Sequence, residues 1–248
     1  MAIAVSAGRA AVMASILAVI GLSWAYLVAM AAHGMPAGQA MAPAAWSASY
    51  AASMFAMWVL MMVAMMLPSA IPMVLLLERF QRSRSGAAGF TAALFASGYL
   101  LVWTLFSALA TAAQWGLERS GLLSADMALV GTGIAAATFI AAGAYQFAPL
   151  KQRCLDACRS PIGFLSAHWR PGGVGALRMG MHHGAFCLGC CWLLMTLLFV
   201  GGVMNLLWIV PVALFVLIEK CLPGGERMGK AGGVLLIAWG AAAFFISG

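Results

Sequence analysis

Apolar runs of bilayer-spanning length follow one another along this chain, separated by short charged or Gly/Pro-rich stretches. A run of about 20 such residues crosses the hydrocarbon core as a helix, which satisfies its own backbone groups, so the pattern restricts the fold to a polytopic membrane helix bundle. Seven spans are read, near residues 11–32, 51–77, 90–116, 127–148, 179–200, 204–221 and 230–246. Only Gly201, Gly202 and Val203 separate the fifth from the sixth, a connection that suits an antiparallel hairpin, with a re-entrant pair as the other reading. Composition agrees, since 65% hydrophobic and 8% charged residues leave too few charges to cover a water-soluble surface. Residues 1–248 therefore read as a single all-α transmembrane domain, the longest connection, 149–178, being too short to fold alone.

Charge placement gives the orientation. Lys and Arg gather in short cytoplasmic loops. With the N-terminus inside, Arg9, Arg79, Arg82, Arg84, Lys151, Arg153, Arg159, Arg170, Arg178, Lys220, Arg227 and Lys230 fall on one side and only Arg119 on the other. Seven spans with a cytoplasmic N-terminus and an external C-terminus follow. The formal charge of +7 is thereby a topology signal and not a nucleic-acid footprint.

The soft-sulfur content is the second constraint, with 18 Met and 6 Cys against 4 His. The fifth span opens with Gly180-Met-His-His-Gly-Ala-Phe-Cys187-Leu-Gly-Cys190-Cys191-Trp192. At 100° per residue His183, Cys187 and Cys190 fall within about 60° of arc, with Cys191 at its edge, so one helix face offers an imidazole and thiols. One helix rarely closes a coordination shell. Cys154 and Cys158, four apart between Pro149 and Pro161, share a side of any helix there and are the natural completing ligands or relay. Neighbouring Lys151, Arg153 and Arg159 favour the metal-binding thiolate. All the cysteines map to the cytoplasmic, reducing side, which disfavours structural disulfides. Cys221, alone, reads as a small packing residue.

In the second span Met54, Met57, Met61 and Met65 lie within about 80° of arc, a thioether stripe suited to Cu(I) and also to plain packing. Pro68 and Pro72 follow and should kink the helix and release carbonyls. His33, Met35 and Met41 add soft groups to an uncharged external loop. Glu219-Lys220 reads as an interfacial ion pair near a helix end, with a carboxylate facing the thiol site as the other reading. No carboxylate falls at mid-depth to serve a proton relay, and nucleotide-loop, nucleophile-elbow and His-Glu-x-x-His patterns are absent. Heme on His182 or His183 lacks an obvious axial partner.

These blocks resemble a bacterial family, the predicted metal-binding integral membrane proteins. The resemblance rests on Trp58-x-x-Met61-Met62-x-Ala64-Met65-Met66-x-Pro68 with Pro72, on Tyr145-x-x-x-Pro149-Leu150-Lys151-x-x-Cys154-Leu155-x-x-Cys158-Arg159, and on Gly184-x-x-Cys187-x-Gly189-Cys190-Cys191-Trp192. Gly202-x-Met204-Asn205-Leu206 and Glu219-Lys220 extend it from the second span onward. It implies a metal-binding membrane protein and nothing finer.

The leading expectation is a protein that binds or moves a soft metal ion, Cu(I) foremost, through Met57, Met61 and Met65 and through Cys187, Cys190, Cys191, Cys154 and Cys158, with His183 auxiliary. Its partners would be the lipid bilayer and a metal-delivery protein. The rivals are a membrane thiol-disulfide oxidoreductase and a structural or assembly subunit of a larger membrane complex, the latter suggested by the small-residue faces Gly180-x-x-x-Gly184 and Gly229-x-x-x-Gly233.

Overall fold

The computed structural model describes residues 7–32, 46–82, 88–124 and 126–246. The external-loop residues His33, Met35 and Met41, and Arg84, lie outside them. Nine helices run through the described residues: α1 (Ala7–Ala32), α2 (Ala48–Arg82), α3 (Ala88–Arg119), α4 (Thr132–Tyr145), α5 (Pro149–Arg159), α6 (Pro161–His168), α7 (Gly172–Gly201), α8 (Leu206–Cys221) and α9 (Gly225–Ile246). Five of them, α1, α2, α3, α7 and α9, are long and apolar enough to cross a membrane, and α4 with α5 makes a sixth when that pair, bent by 63°, is taken as one span. The chain is thus an all-helical bundle suited to a membrane.

The fourth predicted run starts later than its apolarity suggested. Residues 127–131 are not helical: Leu123 pairs with Leu129 in an isolated bridge, Val130 N–H bonds the Leu122 carbonyl at 2.8 Å, and Gly131 has φ 102°. A turn held on both sides leaves only 14 residues for α4, and α8 has 16, lengths of roughly 21 and 24 Å at 1.5 Å per residue. Between the fifth and sixth predicted runs, Gly202 at φ 91° ends α7 and the Asn205 side chain accepts the Leu207 N–H to start α8. The stretch read as a connection, 149–178, folds into α5, α6 and the start of α7. Pro149 and Pro161 occupy the first turns of α5 and α6, where their missing N–H is harmless.

The core lies where α2, α3 and α7 meet. In the most apolar window of α2, 56% of residues are buried, against 17% in α1 and α9, so α2 is the central helix and those two are peripheral. Large apolar side chains such as Leu22, Leu109, Leu207, Leu235, Trp239 and Phe245 remain exposed, the outer surface expected of a chain solvated by lipid. Two glycine contacts set the helix spacing. A Cβ on Gly98 would collide with the Leu177 carbonyl, and one on Gly180 with the Phe95 carbonyl, so α3 and α7 touch backbone to backbone. Gly143 meets the Gly233 carbonyl in the same way between α4 and α9. Both small-residue faces noted in the sequence are therefore occupied within the chain.

Candidate metal centre

Close approach of α3 to α7 brings the buried thiols of α7 against four other helices. Cys187, Cys190 and Cys191 are at most 1% exposed. The thiols of Cys190 and Cys191 donate to the Cys187 carbonyl at 3.1 and 3.0 Å, using the i−3 and i−4 positions of their own helix. From α2, Met66 places Sδ 3.9 Å from Cys191 Sγ. From α3, the Tyr99 hydroxyl donates to the Met66 carbonyl at 2.9 Å, and its oxygen lies 3.0 Å from Cys187 Sγ. From α5, Cys158 lies within electrostatic reach of the thiols of both Cys187 and Cys190.

The fourth contribution, from α8, is a lysine. Lys220 Nζ lies 2.9 Å from Cys187 Sγ, 3.6 Å from Cys191 Sγ and 3.8 Å from Met66 Sδ. Glu219 and Lys220 therefore do not form the interfacial pair read from the sequence. Both are buried, and they face different partners. Glu219 Oε2 accepts from Lys151 Nζ at 2.8 Å, and the same ammonium donates to the Cys190 carbonyl at 2.8 Å. Lys151 and Glu219 are at most 1% exposed, so the pair ties α5, α7 and α8 together directly behind the thiols. Gly229 on α9 leaves the room that the Glu219 carboxylate fills. Arg159 donates to the Glu219 and Leu222 carbonyls at 3.1 and 3.0 Å, satisfying groups that the end of α8 leaves open.

The other sequence-predicted site residues divide. Cys154 and Cys158 share one helix, α5, between the two prolines, but Cys154 packs on Gly189 while Cys158 reaches the thiol cluster. His183 is 2% exposed, with ring centroids 5.0 Å from Phe164, 5.8 Å from Phe95 and 5.9 Å from Tyr99, and its Nδ1 has no hydrogen-bond partner. Its ring packs against Tyr99 and lies within electrostatic reach of Cys187, Cys190 and Lys220, with no hydrogen bond to a sulfur. His182 faces elsewhere, with its ring 4.9 Å from that of His168 at an open pocket of about 480 Å³ lined also by Arg170 and Arg178. Met57 and Met61 are fully buried in α2. Met65 lines an apolar groove of about 300 Å³ with Trp24, Pro68 and Leu214. Its neighbour Met66 is the thioether at the cluster.

Sequence reasoning missed Lys220, Tyr99 and the Lys151–Glu219 pair. One signal was available: Glu219 and Lys220 are the only charges in α8. A charged pair that close to a helix end reads equally well as one reaching water. Among the described residues no group of three His, Cys, Asp or Glu side chains is arranged to hold a metal ion. The sulfurs surround a nitrogen.

No curated protein and no solved structure matches the chain. A family model described as PpoB2, copper chaperone, matches residues 55–243, from within α2 to within α9 and across every residue of the thiol cluster, and the chain belongs to that family.

Proposed function

We propose that this copper chaperone relative is a multi-pass protein of a bacterial inner membrane that holds Cu(I) on Cys187, Cys191 and Met66 and passes it to a metal-accepting partner. Membership of a copper family narrows the broader metal-binding resemblance to one element. The observation that carries the reading is the convergence of two thiols and a thioether, from α7 and α2, on Lys220 Nζ at 2.9, 3.6 and 3.8 Å. Thiolate and thioether sulfur is the donor set that favours Cu(I) over harder cations. An ammonium and a Cu(I) ion each carry one positive charge. Metal that displaced Lys220 from the sulfurs would leave the charge balance of a buried site unchanged once the ammonium released its proton to solvent, which matters because an uncompensated buried charge is costly.

Cys158 and Cys190, next to Cys187, supply second sulfurs for exchange, so the ion could move between neighbouring thiolates without leaving protein sulfur. Cys154, one turn of α5 away, is the next step outward, and His183 is auxiliary. Met57 and Met61 continue the thioether path along α2.

Seven crossings with a cytoplasmic N-terminus remain the topology we favour, with α4 and α8 as short spans. Lys151 and Lys220 are buried. Without those two of the twelve, the remaining ten basic residues still oppose only Arg119. The thiols then lie toward the reducing side.

Competition of the detergent-purified protein against a chromogenic Cu(I) chelator tests the ligand set. Cys187→Ser, Cys191→Ser and Met66→Leu should each weaken Cu(I) binding at least tenfold. Affinity unchanged in Cys187→Ser and Cys191→Ser would overturn the proposal.

A further inference from the structure

Twelve residues before Met66, roughly 18 Å along α2, a second set of soft donors converges on a single nitrogen. Gln114 Nε2, fully buried on α3, lies 3.5 Å from Met54 Sδ, 3.5 Å from Met127 Sδ and 2.8 Å from Glu118 Oε1. The surrounding groups hold these donors from behind. Trp58 Nε1 donates to Gln114 Oε1 at 2.8 Å, fixing the amide so that its NH2 faces the sulfurs. Trp46 Nε1 donates to Glu118 Oε2 at 2.7 Å, leaving Oε1 aimed inward.

Met127 is brought there by an unusual backbone. It is the only non-glycine among the described residues with positive φ, at 55°, a region that L side chains enter at a cost and that clusters at binding sites. The tight turn that imposes it is pinned by Met127 N–H to the Ser124 carbonyl at 2.9 Å and by Leu129 N–H to the Phe199 carbonyl at 2.7 Å. The result is a thioether delivered from a loop onto one delivered from α2. Simple packing requires no such backbone.

We infer that Met54, Met127 and Glu118 form a second soft-metal site, near the N-terminal end of α2 while the thiols lie at its middle, with the Gln114 amide standing where the ion would sit. Two thioethers select a soft monovalent cation such as Cu(I) or Ag(I), and the single carboxylate balances its charge. Thioethers need no deprotonation and form no disulfides, which suits a site facing the oxidising side of the membrane. Met57, Met61 and Met62, all fully buried, lie between the two sites on α2. The choice of ion rests on the copper reading above, but the site stands or falls on its own donors.

Anaerobic titration of the purified full chain with Ag(I) tests it. The wild type should bind two ions. Met54→Leu/Met127→Leu, which keeps volume and apolarity, should bind one, while Cys187→Ser/Cys191→Ser should lose the other. Glu118→Gln should weaken the outer ion at least tenfold. Should the double methionine variant unfold, Met127→Leu alone, half-buried in its turn, carries the same expectation of at least tenfold weaker binding. Two ions bound with wild-type affinity by the methionine variants would overturn the inference. Two ions retained by the cysteine variant, with one lost by the methionine variant, would support this site and refute the thiol reading.

Discussion

Lys220 Nζ and Cys187 Sγ lie 2.9 Å apart at the meeting of α8 and α7, buried from solvent on every side. Such a contact places a cation in a nest of sulfur. A lysine that mainly filled space would have carried its nitrogen toward water, as these long side chains ordinarily do near helix ends. The site is built around one positive charge, and the first prediction concerns what replaces it.

Lys220→Met exchanges the ammonium for a thioether of similar length. If the lysine occupies the position of the metal, the variant should hold Cu(I) at least tenfold more tightly and release it more slowly to a chelator. Competition and stopped-flow release measurements read both. Loss of binding in this variant would assign Lys220 a necessary role in loading.

Cys154 and Cys158 separate the shared-face reading of α5 from the structure. Cys158 interacts with both Cys187 and Cys190, whereas Cys154 packs on Gly189 and interacts with Cys190 alone. Cys158→Ser should weaken Cu(I) binding or slow its transfer by roughly tenfold, the scale expected for a supporting ligand. Cys154→Ser should stay within about twofold of wild type in equilibrium affinity. Equal effects would return both cysteines to one site.

The Lys151–Glu219 pair is expected to be structural. Removing one partner strands a buried charge, and Lys151→Met or Glu219→Gln should each destabilise the protein by about 3–5 kcal/mol. Lys151→Met/Glu219→Met should recover more than half of that loss, because no buried charge remains unpaired. Thermal unfolding in detergent completes the cycle. Additive losses would mean the two residues act separately.

Cys221 is exposed while Cys154, Cys187, Cys190 and Cys191 are buried, so it is a natural reporter of orientation. A membrane-impermeant maleimide should label it in inverted inner-membrane vesicles and not in intact cells with a permeabilised outer membrane. The opposite pattern would reverse the topology and place the thiols toward the exterior.

Much of the thiol arrangement was legible before any coordinates. The spacing of Cys187, Cys190 and Cys191 put them on one helix surface, and the prolines at 149 and 161 bounded the helix that carries Cys158. Periodicity could not separate Met65 from Met66, because the whole of Met61–Leu67 is buried, and only the neighbouring helices decide which thioether meets the sulfurs. Lys220 and Lys151 were misread for a related reason. Their compensating groups, Cys187 and Glu219, are 33 and 68 residues away in sequence, so no local pattern announces that these charges turn inward. The late start of α4 was hidden likewise, because apolar residues 127–130 pair back across a turn held by Phe199 of α7.

Copper K-edge X-ray absorption on protein loaded with one equivalent of Cu(I) tests the central claim most directly. The wild type should show a first shell of sulfur alone, and Cys187→Ser/Cys191→Ser should lose that all-sulfur shell, the ion moving to the mixed thioether and carboxylate donors of the outer site. A shell dominated by nitrogen or oxygen, or a spectrum unchanged in the double variant, would contradict the assignment of Cu(I) to the thiols around Lys220.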